Sequence, residues 1–406
     1  MKKILALILC IVMVFSLVAC GSGDSTETPA GSDGTIGAGT SENSGGSSAG
    51  DSSTDKTPSG GEQTNTVAGA PVFGEEAYNN FKAIMPDKTF VDYLGKASDS
   101  KNHVVKDNNT GVYWRYLTFN GLKAGETVNI MQFSDMHLVD VNSEDLKNPI
   151  TASVYKEHSK SKSGMGLTGL QRIVEYPKYF TATVGTGDNF DYLHLGALEY
   201  YKKNIFTIPN SLFTLGNHDV TYNNNGLVSD NTTIESRYDL LSSYWPHDVH
   251  YASKIVKDRV MLIQLNNAES KYFPEQLTKL EADIKKAREE NLIVFVFQHM
   301  PISVNDVNQS RVNAISQGDQ PENFRKTLIG GNKFVGDDTT MQVYNMLIGN
   351  CDVIKGIFCG HMHADFYTEI HGSYMKDGQK VDAIIPQIVI ESNQEMNGFG
   401  FAITVK

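Results

Sequence analysis

SLFTLGNHDV, residues 211–220, is a short apolar run that stops at a glycine and then delivers an amide, an imidazole and a carboxylate in succession. Asn217, His218 and Asp219 are poor strand residues and good turn residues. Taken alone, the stretch is a strand followed by an ordinary turn. The same punctuation recurs four more times. Strand-like residues 128–133 lead into Asp135-Met136-His137, and 179–184 into Gly187-Asp188-Asn189. Residues 292–297 lead into Gln298-His299-Met300-Pro301, and 353–359 into Gly360-His361-Met362-His363.

Five apolar strands thus carry metal-type ligands at their carboxyl ends, where open α/β sheets bind their ligands. A further strand-like run covers 260–265. Helix-like stretches fall between, at 166–176, 192–204, 233–244 and 274–290. The last sets Leu277, Leu280, Ile284 and Ala287 on one face, with charges elsewhere. Alternating strands and helices define an α/β body. AIIPQIVIES (383–392) and GFAITVK (400–406) are further strands with no final helix, which a second sheet packed on the first accommodates.

The spacings carry chemistry. Asp135 and His137 are two apart, as are His361 and His363, so an extended backbone would put each pair on one face. Gly187, Gly216 and Gly360 each precede a ligand, where a sharp turn or a close backbone approach is expected. A lone DxH or HxH is a weak signal, but five such ends in series are not a chance pattern. His103, His158, His194, His247, His250 and His371 have no such setting and are ordinary histidines, and Met136, Met300 and Met362 are expected to fill gaps. A nitrogen and oxygen donor set without thiolate suits Zn, Fe or Mn.

The series D-M-H, G-D-N, G-N-H-D, Q-H-M-P and G-H-M-H resembles the calcineurin-like metallophosphoesterase family, over most of residues 127–406. The resemblance implies a four-layer α/β/β/α sandwich with two packed mixed sheets flanked by helices. It also implies two divalent or trivalent metal ions and hydrolysis of phosphomonoesters or phosphodiesters. By motif, Asp135, His137 and His363 would bind one ion, Asn217, His299 and His361 the other, and Asp188 would bridge them. His218 would be the catalytic histidine that binds no metal, with Asp219 as its orienting partner. Two ions about 4 Å apart can hold a bridging hydroxide at neutral pH and clamp phosphoryl oxygens. One departure stands out. Purple acid phosphatases place an iron-binding tyrosine three residues after the bridging aspartate, and here that position is Asp191. The segments 140–164, 221–231 and 303–338 should rim the site, bringing Lys147, Lys156, Lys160, Tyr222, Arg311 and Arg325, each more readily a solvated loop residue than a substrate contact.

The N-terminus has a different purpose. Lys2 and Lys3 precede an apolar stretch over 4–18, closed by Leu17-Val18-Ala19-Cys20. This resembles a bacterial lipoprotein signal, with residues 1–19 removed and Cys20 lipidated, and the apolar run is short for a membrane span. The expectation is an exported protein anchored to the cell membrane, facing the extracellular or periplasmic side. Gly, Ser and Thr fill 30 of the 50 positions from 21 to 70. With Cys20 they form a disordered linker with a reach of roughly 40 Å. Residues 71–126 are expected as an N-terminal addition packed on the 127–406 domain. Cys351 and Cys359 alone remain beyond Cys20, which excludes a disulfide framework. A formal charge of −12 disfavours a nucleic-acid partner. A small phosphoester is still admissible, because bound ions would supply local positive charge. Two rivals come from other classes. A surface metal-binding lipoprotein with this fold would keep the ligands and bind without hydrolysis. A solute-binding lipoprotein on a different fold would have no need of five ligand-bearing strand ends.

Overall fold

A computed structural model of the chain describes residues 71–72, 75–85, 87–93, 104–158, 164–220, 233–302, 337–363 and 365–406. All of them belong to one compact unit, Thr64–Lys406. The expected signal sequence, Cys20, the expected linker and the segments 221–231 and 303–336 expected at the rim lie outside the described residues. Among the described residues no helix is long and apolar enough to cross a membrane.

The first part runs β1 (Pro71–Val72), α1 (Glu75–Ile84), β2 (Phe90–Tyr93), β3 (Val104–Asp107), β4 (Tyr113–Phe119), β5 (Val128–Phe133), α2 (Pro149–His158) and α3 (Gly164–Ile173). It continues with β6 (Ala182–Thr186), α4 (Leu195–Asn204), β7 (Ser211–Thr214), α5 (Asn217–Val220) and α6 (Ile234–Tyr244). The second part runs β8 (Tyr251–Val256), β9 (Val260–Leu265), α7 (Pro274–Glu290), β10 (Ile293–Phe297), α8 (Asp338–Ile348) and β11 (Ile354–Cys359). It closes with β12 (Phe366–Lys376), β13 (Gln379–Val389), α9 (Asn393–Met396) and β14 (Phe399–Val405).

These strands make two mixed sheets. The first has the order β2-β3-β4-β14-β5-β6-β7, with β1 also on β4, and the second β12-β13-β11-β10-β9-β8. In the first, β5, β6 and β7 are parallel; in the second, β9, β10, β11 and β13 are parallel. Every residue of β9 and β10 is buried, which is why both are unbroken apolar runs rather than alternating ones.

Three cores stack the layers. Between the sheets, Phe119, Ile130, Val184 and Leu212 meet Leu262, Phe295, Phe358 and Ile388. On the outer face of the first sheet, Phe81 of α1, Leu170 of α3, Leu198 of α4 and Leu241 of α6 cover Met131, Phe133 and Phe213. On the outer face of the second, Leu280, Ile284 and Ala287 of α7 and Val343 and Leu347 of α8 cover Ile263, Val294 and Ile357. Helices, sheet, sheet and helices give the expected four-layer sandwich. The apolar stripe of α7 lies where its spacing places it, and Asn291 ends the helix in the left-handed conformation at φ 54°.

Three expectations need correction. Residues 104–119 are not an addition against the sandwich: β4 lies inside the first sheet, parallel to β14 and antiparallel to β3. Residues 177–179 form a 3₁₀ turn opened by Pro177, so β6 starts at Ala182 rather than 179. Finally, the strand expected at 383–392 is half of a long hairpin, β13 running from Gln379 to Val389. β12 and β13 pair antiparallel across Asp377-Gly378, both left-handed at φ 52° and 78°, the Asp-Gly turn that suits right-twisted strands.

Candidate metal centre

The five ligand loops meet at one edge of the sandwich. After β5, Asp135 N donates to Gly187 O at 3.0 Å and His137 N to Asp188 O at 3.0 Å, knitting the first loop to the second. After β7, α5 begins at Asn217, and His218 N donates to Asp188 Oδ1 at 2.9 Å. After β11, His361 N donates to Asp135 Oδ2 at 3.0 Å, and Gly360 N to His299 O at 3.0 Å. Backbone amides from one loop thus seat the carboxylates of another.

The ligand pairs converge by a route other than the extended one. Asp135, His137, Asp188, His361 and His363 all have left-handed backbones, at φ 51°, 45°, 46°, 73° and 48°. For residues with a Cβ this costs about 1–3 kcal/mol each and persists only where the surroundings impose it. A turn at each ligand, not strand alternation, aims it inward. The glycines behave as expected. A Cβ on Gly216 would lie 2.2 Å from Asp188 N, one on Gly187 2.5 Å from His299 Nδ1, and one on Gly360 2.4 Å from Asp135 Oδ2.

The donor atoms fall into three groups: two of them share Asp188, and a third brings His137, Asp191 and His218 together. Asp135, His137, Asp188 and His363 bring ligand atoms within 4.8 Å of one another, and so do Asp188, His299 and His361. Asn217 Oδ1 lies 3.1 Å from His299 Nε2 and so joins the second group. All seven expected ligands are together, with Asp188 common to both groups.

The chemistry of the donors fits cations. His299 Nδ1 lies 2.8 Å from Thr186 O, which only accepts, so that nitrogen carries the ring proton. Its Nε2 then faces Asn217 Oδ1 at 3.1 Å, His361 Nδ1 at 3.2 Å and Asp188 Oδ2 at 3.2 Å. In the first group His137 Nε2 and His363 Nε2 are 3.0 Å apart, with Asp135 Oδ1 at 3.4 Å from the latter. Burial opposes the charge on Asp188, yet His299, His218 and His137 hold it well below the usual carboxylate range. Burial likewise opposes protonation of His299, but Asp188 outweighs it and pushes the ring up to about 9. His363 is pushed up to about 11 against its burial by Asp135 and Glu395, whereas burial and then His299 push His361 down to about 4.

Protons on His299 and His363 therefore stand where cations would. With raised values they stay bound at neutral pH in the metal-free protein, and an ion at Nε2 must displace them. Metal uptake should then release about one to two protons per chain near pH 7, and affinity should rise with pH. Calorimetry in buffers of different ionisation enthalpy measures this, and a buffer-independent enthalpy would contradict it.

The expected partnership of His218 with Asp219 is not formed. Asp219 is fully buried and accepts from Gly216 N at 2.8 Å, Asn189 Nδ2 at 2.9 Å and Phe190 N at 3.0 Å. Burial, then Asp188, pushes this carboxyl up to about 7. It clamps the β6 and β7 loops together. The reason is local: Asn217, His218 and Asp219 open a helix, so successive side chains point about 100° apart. His218 Nδ1 instead lies 2.9 Å from Asp191 O and 3.7 Å from Asp191 Oδ1. The same Oδ1 is 3.3 Å from His137 Nδ1, and the two rings meet edge-on at 4.6 Å. Asp191, noted in the sequence only as a departure from tyrosine, backs both histidines.

No protein-family model and no curated protein matches the chain. Among solved structures it is similar to a dimetal phosphatase from Danio rerio, at 12% identity over 66% of this chain and 88% of that one, with a TM-score of 0.35. It is also similar to a protein assigned as a 5'-nucleotidase from Staphylococcus aureus, solved with alpha-ketoglutarate. That match has 13% identity over 66% of this chain and 49% of that one, with a TM-score of 0.29.

Around the ligands the remaining residues support the loops. Met136 and Met300 are buried in the cores as expected. Asn267 Nδ2 donates to Met300 O at 2.8 Å and Gln298 Nε2 to the same oxygen at 2.8 Å, holding the loop of His299. Arg115 of β4 forms a buried ion pair with Asp365, two residues beyond His363. Among the rim lysines, Lys147 is exposed and paired with Glu144, and Lys156 is exposed. Sequence reasoning missed Glu395, whose Oε1 lies 2.9 Å from His363 Nδ1. Its signal was Ser392-x-x-Glu395, the pattern of a helix start, which opens on the last residue of the strand assigned to 383–392.

Proposed function

We propose that the chain is a binuclear-metal phosphoesterase that hydrolyses phosphomonoesters or phosphodiesters, exported and held at the membrane through a lipidated Cys20. The observation that carries the catalytic part is the sharing of one buried carboxylate, Asp188, by two groups of nitrogen and oxygen donors. A single structural ion needs one closed donor set; two sets joined at a carboxylate suit a pair of dications held close together.

Asp135, His137 and His363 would hold one ion, Asn217, His299 and His361 the other, with Asp188 between. When bound, the pair would supply Lewis acidity to the phosphoryl oxygens and activate the attacking water. The chain's own groups do the rest. His218 is partly exposed, with 21% of its side-chain surface accessible. Its Nδ1 proton directed at Asp191 O leaves Nε2 as the atom that gives a proton to the departing alkoxide or stabilises a phosphoryl oxygen. Asp191 fixes that orientation, and the burial of Asp135, Asp188 and His299 keeps water from competing for the ions. The anchoring part rests on the lipoprotein-type ending at residues 17–20.

Metal-replete protein assayed on p-nitrophenyl phosphate and bis(p-nitrophenyl) phosphate tests the catalytic part. Hydrolysis of at least one, abolished by chelation and restored by Mn, Zn or Fe, is expected. A metal-loaded protein inert toward both would support the binding role instead.

A further inference from the structure

His363 has a partner that none of the five ligand motifs contains. Its Nδ1 lies 2.9 Å from Glu395 Oε1, on the four-residue helix α9 between β13 and β14. That helix is fixed against the loop of another ligand. Asn393 N donates to Ser134 O and Gln394 N to Asp135 O, both at 3.2 Å. The Ser392 hydroxyl accepts from Glu395 N at 3.4 Å and donates to Asp135 O at 3.2 Å. On its other side Arg172 of α3 donates to Asn397 O at 2.9 Å, and a Cβ on Gly169 would come within 2.9 Å of Asn393 O. The segment cannot shift without moving the Asp135 loop or α3.

We infer that Glu395 is a positioning residue for His363, clamping it to Asp135 so that this half of the centre presents a preformed donor set. The inference rests on the two-ion reading of the site. A carboxylate accepting from Nδ1–H sets the tautomer and leaves the Nε2 lone pair for an ion, and it strengthens the imidazole as a donor. The Nε2 so directed is the atom 3.0 Å from His137 Nε2 and 3.4 Å from Asp135 Oδ1. The other half of the centre has a different arrangement. There His299 turns its Nδ1 to the neutral carbonyl of Thr186 at 2.8 Å, so loss of the Glu395 charge acts on one ion and spares the other. Glu395 is half-exposed, with 48% of its side-chain surface accessible, so its truncation opens no cavity in a core.

The test is a Mn(II) titration of metal-free full-length protein against a competing chelator, with the Tm of the metal-free forms as control. Wild type should show two sites. Glu395→Ala should weaken one of them about 10–100-fold, leave the other within about threefold, and keep the metal-free Tm. Glu395→Gln, which keeps an acceptor without the charge, should fall between. Two sites unchanged in Glu395→Ala, equal weakening of both, or a loss tracked by a lower Tm would each overturn the inference and leave the two-ion reading standing. Fewer than two sites in wild type would overturn both.

Discussion

Replacing Asp188 with asparagine should lower kcat/KM for phosphoester hydrolysis by about 10³-fold or more, equivalent to about 4 kcal/mol of transition-state stabilisation. The size follows from the position of the residue. Asp188 belongs to both donor groups, so a single substitution would remove the charge proposed to hold two cations close. Its Oδ1 also accepts from His218 N at 2.9 Å, so the loop of His218 loses a seat at the same time. Asparagine keeps the volume but offers one neutral oxygen, and the buried setting gives no solvent to compensate. Wild-type kinetics in this variant would remove Asp188 from the mechanism.

His218→Ala should have the second large effect, a fall of about 10²–10⁴-fold in kcat with KM little changed and the ions retained. His218 lies outside the two donor groups that share Asp188, in a third group with His137 and Asp191, and its Nδ1 is engaged by Asp191 O. Loss of metal along with turnover would show that it is a ligand and not a proton donor. Asp219→Asn separates the neighbouring carboxylate from this role. An amide there would turn a donor toward Gly216 N, Asn189 Nδ2 or Phe190 N, so stability should drop by about 1–3 kcal/mol. A drop in kcat equal to that of His218→Ala, with unchanged denaturation, would restore Asp219 as the orienting residue.

The contrast between these two residues shows what a sequence carries and what it withholds. The strands ahead of the ligands were legible because two packed sheets bury both faces, and burial writes continuous apolar runs such as β9 and β10. The glycines were legible because Gly187, Gly216 and Gly360 sit where a Cβ would strike another ligand residue. Side-chain direction was not. Adjacent residues on a helical turn diverge, so Asp219 next to His218 in the chain is remote from it in role, whereas Asp191, 27 residues away, meets its ring. The left-handed backbone of five ligands was equally hidden, since Asp and His carry no sequence mark for positive φ as glycine does. At the edges the signal faded for another reason. β12 is the outermost strand of its sheet, with Met375 67% exposed and polar residues throughout, so no apolar run announces it. The place of β4 inside the sheet was hidden because its parallel neighbour β14 comes from the far end of the described chain.

The central claim is that two ions share Asp188. Elemental analysis of the full-length protein, loaded with Mn(II) or Zn(II) and freed of excess metal, tests it most directly. The account predicts two ions per chain in the wild type and at most one in Asp188→Asn, with both proteins folded. A folded wild-type chain holding no ion, or holding one whose occupancy is indifferent to Asp188→Asn, would contradict it.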